Sequence, residues 1–411
     1  MGDEFRKMDE PDEMIRHIRQ GVCDELDERD VTEDRIYEVI DKWITRETEG
    51  KKLSISQKER IRKSIYNSIR GFDILEEFLS DDSVTEIMVN GAGEIFLERR
   101  GRIEKAKTAF ENRERLENTA ERIASRSNRL VNTKTPILDT RLEDGSRVNI
   151  VLPPVAINGP VITIRKFYDN PLTIEDLLEL GSVTDEAVEF LKKAVRSGYN
   201  IFISGGTGSG KTTFLNVLSE FIPGDERIIT IEDSAELKLH NVDNIVSLEA
   251  RAGNVENENA IHIRDLIKTS LRMRPDRIIV GEVRGAEAID MLQAYNTGHD
   301  GSMSTGHANS AADMMTRLET MVLMGMDIPV AAIREQISAA LEIVVHLGRF
   351  RDRSRRVLEI SEVRGVKDGR IELVKLFEFK EEGEKDGRVI GSLKKTGEDL
   401  KNKYKLSAAG F

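Results

Sequence analysis

Apolar residues recur at three- and four-residue steps through the first seventy positions. Met14, Ile15, Ile18, Val22 and Leu26 form one stripe, and Ile36, Val39, Ile40 and Ile44 a second, each predicting an amphipathic helix. Ser56-Gln57-Lys58-Glu59 carries a capping-box signal for a third helix, with Ile61, Ile65 and Ile69 on one face. Residues 1–70 thus read as a helical bundle without chemistry of its own. From residue 71 the pattern shortens. Segments 84–90, 94–98, 146–152 and 161–166 are rich in Val and Ile and separated by Asn90-Gly91, Arg100-Gly101 and Asp144-Gly145, with a charged helix over 112–130 between them. This predicts one α+β domain over 71–167. Residues 168–172, Tyr168-Asp169-Asn170-Pro171-Leu172, read as a short linker, because Asn-Pro disfavours a continuing helix.

From Thr173 onward strand and helix patterns alternate, which predicts a parallel sheet with crossover helices over 173–393. Its strands are expected at 199–204, 227–231, 244–248, 277–281, 301–305 and 342–346. A hairpin is expected from 357–364 and 370–378 about Lys367-Asp368-Gly369. The lysine-rich segment 394–411 reads as a loose polar tail.

Composition narrows the classes. The chain has 411 residues, 39% hydrophobic and 33% charged, enough for two or three domains with much charged surface. No stretch approaches eighteen consecutive apolar residues and the first residues are acidic, so a soluble cytoplasmic protein is expected. The single cysteine, Cys23, excludes an internal disulfide and a multi-cysteine zinc site; its helical setting predicts a small buried residue. A net charge of −12 argues against broad nucleic-acid binding, which needs basic surface.

Candidate chemistry centres on Gly205-Gly206-Thr207-Gly208-Ser209-Gly210-Lys211-Thr212, of the form G-x-x-x-x-G-K-[ST]. An apolar run precedes it and a helical run, Thr213 to Ile222, follows. Strand, glycine loop and helix together let backbone N–H groups and a helix N-terminus hold an anionic phosphate. The candidate contacts are Gly206, Thr207, Gly208, Ser209, Gly210, Lys211, Thr212 and Thr213; Lys211 reaches the β/γ-phosphates and the Thr212 hydroxyl ligates Mg²⁺. Three further segments follow. The acidic element Glu232-Asp233-Ser234-Ala235-Glu236 ends a strand. Asp276-Arg277-Ile278-Ile279-Val280-Gly281-Glu282 is an apolar run closed by an acid suited to hold Mg²⁺ through water. Thr297 to Asn309 places His307 just past another strand, in reach of a γ-phosphate.

These segments, with Leu271-Arg272-Met273-Arg274-Pro275 and Glu282-Val283-Arg284-Gly285, resemble the Walker A, Asp box, Walker B and His box of the type II/type IV secretion ATPase superfamily. Residues 136–167, from Pro136-Ile137-Leu138-Asp139-Thr140-Arg141 to Ile164-Arg165-Lys166-Phe167, are similar to the N-terminal domain of its tight-adherence (Flp) pilus and type IV secretion branch. The four-cysteine zinc motif of type II assembly ATPases is lacking, and Ala332-Ile333-Arg334-Glu335-Gln336-Ile337 departs from the signature of retraction motors. Both point to the tight-adherence branch.

The resemblance implies an α/β fold: a RecA-like P-loop NTPase motor preceded by a PAS-like α+β domain and the helical bundle. It implies a hexameric ring that binds ATP and Mg²⁺ between the two domains, closes about 168–172, and docks on an inner-membrane platform protein, with no stable nucleic-acid partner. By the same resemblance Glu282 is the Walker B acid, Glu236 the Asp-box acid near the attacking water, and His307 the His-box residue. Arg147 and Arg165 match arginines that contact the γ-phosphate. Arg272, Arg274, Arg277 and Arg284 read equally as subunit contacts or solvated charges. Two rival readings stand beside this one: a RecA-like nucleic-acid translocase, which predicts a basic pore, and a nucleotide-gated scaffold with little turnover.

Overall fold

The computed structural model describes residues 9–26, 32–49, 53–99, 101–167, 172–251 and 260–411. The chain divides into two compact units, Met1–Tyr168 and Asp169–Phe411.

The first unit opens with helices α1 (Asp9–Glu25), α2 (Glu33–Glu47) and α3 (Ile55–Ile69). Their stripes meet in one apolar cluster of Ile18, Val22, Ile36, Val39, Ile40, Ile44, Ile61 and Ile65. Two expectations are corrected here. The capping box of α3 is Ser54 with Gln57, two residues earlier than the Ser56 signal. Ser54-x-x-Gln57 and Ser56-x-x-Glu59 both fit the pattern, and the earlier start lets Leu53 pack against the cluster. Cys23 is exposed rather than buried, because it falls off the Ile18–Val22 stripe of α1.

After the short helix α4 (Leu75–Leu79) come β1 (Val84–Asn90), β2 (Ile95–Arg99), β3 (Arg102–Lys105), helix α5 (Arg113–Arg126), β4 (Ile137–Arg141), β5 (Arg147–Val151) and β6 (Val161–Arg165). They form an antiparallel sheet of order β3-β2-β1-β6-β5-β4. Alternate residues of β1, β5 and β6 (Ile87, Ile150, Ile162) join Leu116, Ala120 and Ile123 of α5 in one core. Strands β3 and β4 escaped the sequence pattern. Every residue of β3 is exposed and three of its four are charged, so its strand state comes from pairing with β2 rather than from burial.

The second unit runs α6 (Ile174–Glu179), α7 (Asp185–Arg196), β7 (Ile201–Gly205), α8 (Lys211–Ser219), β8 (Arg227–Glu232), β9 (Asn244–Glu249), α9 (Ile263–Ser270), β10 (Arg277–Val280), α10 (Glu287–Tyr295), β11 (Met303–His307), α11 (Ala311–Gly325), α12 (Val330–Ala340), β12 (Ile343–Arg349), β13 (Arg355–Lys367), β14 (Arg370–Lys385), β15 (Arg388–Lys395) and α13 (Tyr404–Ala408). One sheet has the order β15-β14-β13-β12-β7-β11-β10-β8-β9. Strands β12, β7, β11, β10, β8 and β9 are mutually parallel, whereas β13, β14 and β15 add antiparallel to one edge.

The central strand β7 is buried on both faces. Its Ile201 and Ile203 pack with α7 and α8, while Phe202 joins α10, α11 and α12 on the other side. This two-faced burial explains the unbroken apolar runs of the parallel strands.

The end of the chain corrects the expectation of a loose tail. Residues 388–395 are a strand, Leu400 is buried in the core, and the Tyr199 hydroxyl donates to the Asn402 carbonyl at 2.5 Å. Lys405 is held by Glu342 at 2.6 Å and Asp300 at 2.7 Å. A buried tyrosine and two carboxylates order the lysine-rich segment that composition alone makes look loose. Of the expected linker 168–172, residues 168–171 lie outside the described residues.

Candidate functional site

Strand β7 ends at Gly205 and helix α8 starts at Lys211, so the glycine loop joins a fully buried strand to a helix N-terminus. Gly208 (φ +69°) and Gly210 (φ +92°) take left-handed backbone that a side chain would strain. A Cβ on Gly205 would collide with the Leu347 carbonyl and the Ser209 hydroxyl, whereas one on Gly206 would point into open space. Thr207, Gly208 and Thr213 are exposed, and Thr212 is half-buried. Ser209 is 1% exposed and its hydroxyl has no hydrogen-bond partner among the described residues. Open space over Gly206, a left-handed loop and an orphaned buried hydroxyl are what a phosphate cradle requires.

Lys211 folds back over the loop. Its ammonium donates to the Gly206 carbonyl at 3.0 Å and meets His307 Nδ1 at 3.2 Å. Strand β11 is the direct neighbour of β7, pairing His307 with Gly205, and this register brings the histidine to the loop. His307 Nε2 lies 2.6 Å from a Glu282 oxygen. Because an ammonium only donates, His307 Nδ1 accepts and the ring proton sits on Nε2, facing Glu282. Burial pushes the His307 pKa down, against the pull of Glu282 and with help from Lys211, Arg284 and Arg317, so the neutral ring fits this assignment. Burial likewise lowers the Lys211 pKa, opposed by Glu282 and assisted by Arg284.

The other Glu282 oxygen is gripped by Arg284, through Nη2 at 2.6 Å and Nε at 2.9 Å. Arg284 also reaches Asp233 at 3.5 Å, and its pKa is raised by the Glu282 hydrogen bonds first and by the charges of Glu282, Asp233 and Glu236 after burial is counted. Lys211, His307, Glu282, Arg284 and Asp233 thus form one connected chain across the C-terminal ends of the strands, the ligand side of open α/β sheets. Glu236 adds its charge at the same end, at the turn after β8.

Glu232 serves differently. It is 4% exposed and accepts from the backbone N–H groups of Glu236 (2.9 Å) and Leu237 (3.2 Å), shaping the turn that presents Glu236. Arg277 is neither a subunit contact nor a solvated charge. It is 2% exposed, pairs with Glu226 and donates to the Val195 carbonyl at 2.6 Å. Arg284, left open by the sequence, is at the centre of the site.

In the first unit Arg147 and Arg165 are cross-strand partners in the β5–β6 register, with Arg141 opposite Arg147 and Glu86 opposite Arg165. The structure therefore brings the two arginines together, eighteen residues apart in sequence (165 − 147). Arg165 is exposed and Arg147 half-buried.

Residues 69–387 match the family described as Type II/IV secretion system protein. The chain belongs to this family. It is 42% identical over 276 residues to an uncharacterized protein of Methanocaldococcus jannaschii, covering 65% of this chain but only 38% of that longer protein. It is 34% identical over 312 residues to the type IV secretion system protein PtlH of Bordetella pertussis, covering 70% of this chain and 92% of PtlH. The ATPase DotB of Yersinia pseudotuberculosis superposes with a TM-score of 0.51 at 19% identity, over 72% of this chain and 79% of DotB, a likeness of fold.

Proposed function

We propose that this chain is the ring-forming ATPase of a secretion or pilus-assembly machine of the tight-adherence kind, converting ATP hydrolysis into pilin extrusion or protein secretion. The observation that carries the reading is the chain of contacts from the loop lysine through His307 to Glu282, at 3.2 and 2.6 Å, which sets an acid beside a phosphate cradle. The family match over residues 69–387 and the likeness to PtlH support the secretion assignment.

In this reading the loop from Gly206 to Gly210, with Thr213 beyond it, binds the phosphates through backbone N–H groups, and Lys211 spans the β- and γ-phosphates. The Thr212 hydroxyl and, through water, Glu282 would hold Mg²⁺, which supplies charge neutralisation at the phosphates. Water attacks the γ-phosphorus, the bond to the β,γ-bridging oxygen breaks, and the water's proton passes to a carboxylate of the Glu282–Glu236 cluster. Arg147 and Arg165 contribute guanidinium charge to the γ-phosphate in the assembled ring. Among the described residues no helix is long and apolar enough to cross a membrane, so attachment to the inner membrane would come through a platform protein in contact with the cytoplasmic ring. A stable nucleic-acid partner is not part of this reading.

The test is Mg²⁺-dependent phosphate release across a protein-concentration series, with light scattering on the same samples. Turnover should rise as a six-subunit species appears. Lys211→Ala should lose ATP binding, and Glu282→Gln should bind ATP and stall. Turnover by a monomer that is indifferent to dilution, or hydrolysis by Glu282→Gln at the parent rate, overturns the reading.

A further inference from the structure

The turn joining β12 to β13 is unusually basic, with Arg349, Arg351, Arg353, Arg355 and Arg356 within eight residues (349–356). Two of these arginines are consumed by the fold. Arg351 is paired with Glu381 at 2.6 Å and Glu384 at 2.8 Å. Arg356 donates to the Val389 carbonyl at 2.7 Å and lies over the rings of Phe350 and Phe379.

Arg349 and Arg355 are placed differently. They are directly opposite one another in the β12–β13 register, and neither makes an ion pair among the described residues. Like charges facing across a strand pair are unfavourable. Strand β12 also runs beside β7, pairing Leu347 with Gly205, so the register that opposes the arginines delivers both to the phosphate loop. Arg355 Nε donates to the Gly208 carbonyl at 2.8 Å, and its Cδ stands 3.5 Å from where a Gly210 side chain would begin. An Arg349 terminal nitrogen stands 3.8 Å from the same point on Gly208. Two uncompensated cations thus flank the two left-handed glycines of the cradle, both exposed.

We propose that Arg349 and Arg355 form a phosphate clamp supplied by the motor unit itself, closing on the phosphate chain of the nucleotide held in the loop; this rests on the nucleotide-site reading above. The facing charges repel each other until an anion lies between them, and then each guanidinium gains a charge-assisted contact. Arg355 also steadies the loop through Gly208, whereas Arg349 makes no hydrogen bond inside the chain among the described residues. Arg349 is therefore the cleaner probe.

The experiment compares the full-length parent, Lys211→Ala, Arg349→Ala, Arg349→Lys and the Arg349→Ala/Arg355→Ala double variant. Each is titrated with fluorescent ADP and, by competition, with adenosine, and thermal unfolding is recorded with and without ADP. Arg349→Ala should weaken ADP about tenfold, the lower end for a hydrogen bond to a charged group. Arg349→Lys should recover part of the loss, since it keeps the charge without the fork. Without nucleotide, Arg349→Ala should unfold at the parent temperature or above it. With ADP its gain in melting temperature should be smaller than the parent's.

The clamp is overturned if Arg349→Ala and the double variant bind ADP as tightly as the parent while Lys211→Ala does not. It is also overturned if adenosine and ADP are weakened equally, which would place the contact on base or ribose. If the parent itself fails to bind ADP, or Lys211→Ala binds as the parent does, the nucleotide-site reading falls first and the clamp with it.

Discussion

Replacing His307 separates two roles that the imidazole could have. In the structure it accepts from Lys211 through Nδ1 at 3.2 Å and sets Nε2 2.6 Å from a Glu282 oxygen, so it stands between a cation and an anion. A hydrogen bond to a charged group contributes about 1.5–3 kcal/mol. Here the His307 side chain is 35% exposed, so water replaces part of the Lys211 bond once the ring is gone. Discounting the Lys211 bond to roughly two-thirds leaves about 1–2 kcal/mol of lost order at the reacting end, or a roughly 5- to 30-fold fall in kcat for His307→Ala.

Glutamine accepts through its carbonyl and donates through its amide, so His307→Gln should stay within about threefold of the parent. The pH profile adds an independent readout. The ring is neutral in the folded site because burial depresses its pKa below the ordinary 6.5. Protonation removes the acceptor that Lys211 uses, so parent activity should hold above the native value and decline as pH falls through it. His307→Gln should lack that limb. The assay is steady-state phosphate release from pH 5 to 8, with fluorescent ATP binding to separate affinity from turnover. A kcat for His307→Ala within twofold of the parent would refute the relay, as would a glutamine variant as slow as the alanine one with the acid limb intact.

Two structural predictions follow from buried or capping groups. Arg277→Met removes one partner of a nearly buried ion pair and its bond to the Val195 carbonyl, and should cost the motor unit about 3 kcal/mol in urea unfolding, the low end because Glu226 keeps some solvent; a loss below about 1 kcal/mol contradicts that assignment. Ser54→Ala should destabilise the first unit by about 1 kcal/mol while Ser56→Ala is nearly neutral, and the reverse order would restore the cap to Ser56.

The phosphate loop was legible because its chemistry is local: glycines at fixed offsets, a lysine and a threonine, between an apolar run and a helix. The acid and histidine segments were legible as motifs, but their joining was not. His307 lies 96 positions from Lys211 (307 − 211) and reaches it only because β11 is the strand that pairs with β7. The same limit hid Arg349 and Arg355, which in one dimension are two charges in a basic turn like their neighbours. Glu232 and Glu236 look alike as acids near a strand end, yet one is buried under two backbone N–H groups and shapes the turn, and the other contributes charge to the site.

The sequence by itself determined the elements whose signal is short-range. These are the three amphipathic helices, the buried strands with continuous apolar runs, and the glycine turns. Local backbone preference and side-chain periodicity decide these before any long-range contact forms. Tertiary structure decided the rest. The exposed strand β3 carries no hydrophobic alternation, and its neighbour supplies its hydrogen bonds. Strand β15 had a readable Asp386-Gly387 turn, with φ of +52° and +72°, but only two of its residues, Val389 and Leu393, are buried. Two serines two residues apart offered equivalent caps, and packing chose between them. Strand order is the deepest of these choices. Which strands become neighbours depends on burying both faces of one sheet at once, and that burial sets which side chains stand beside the loop.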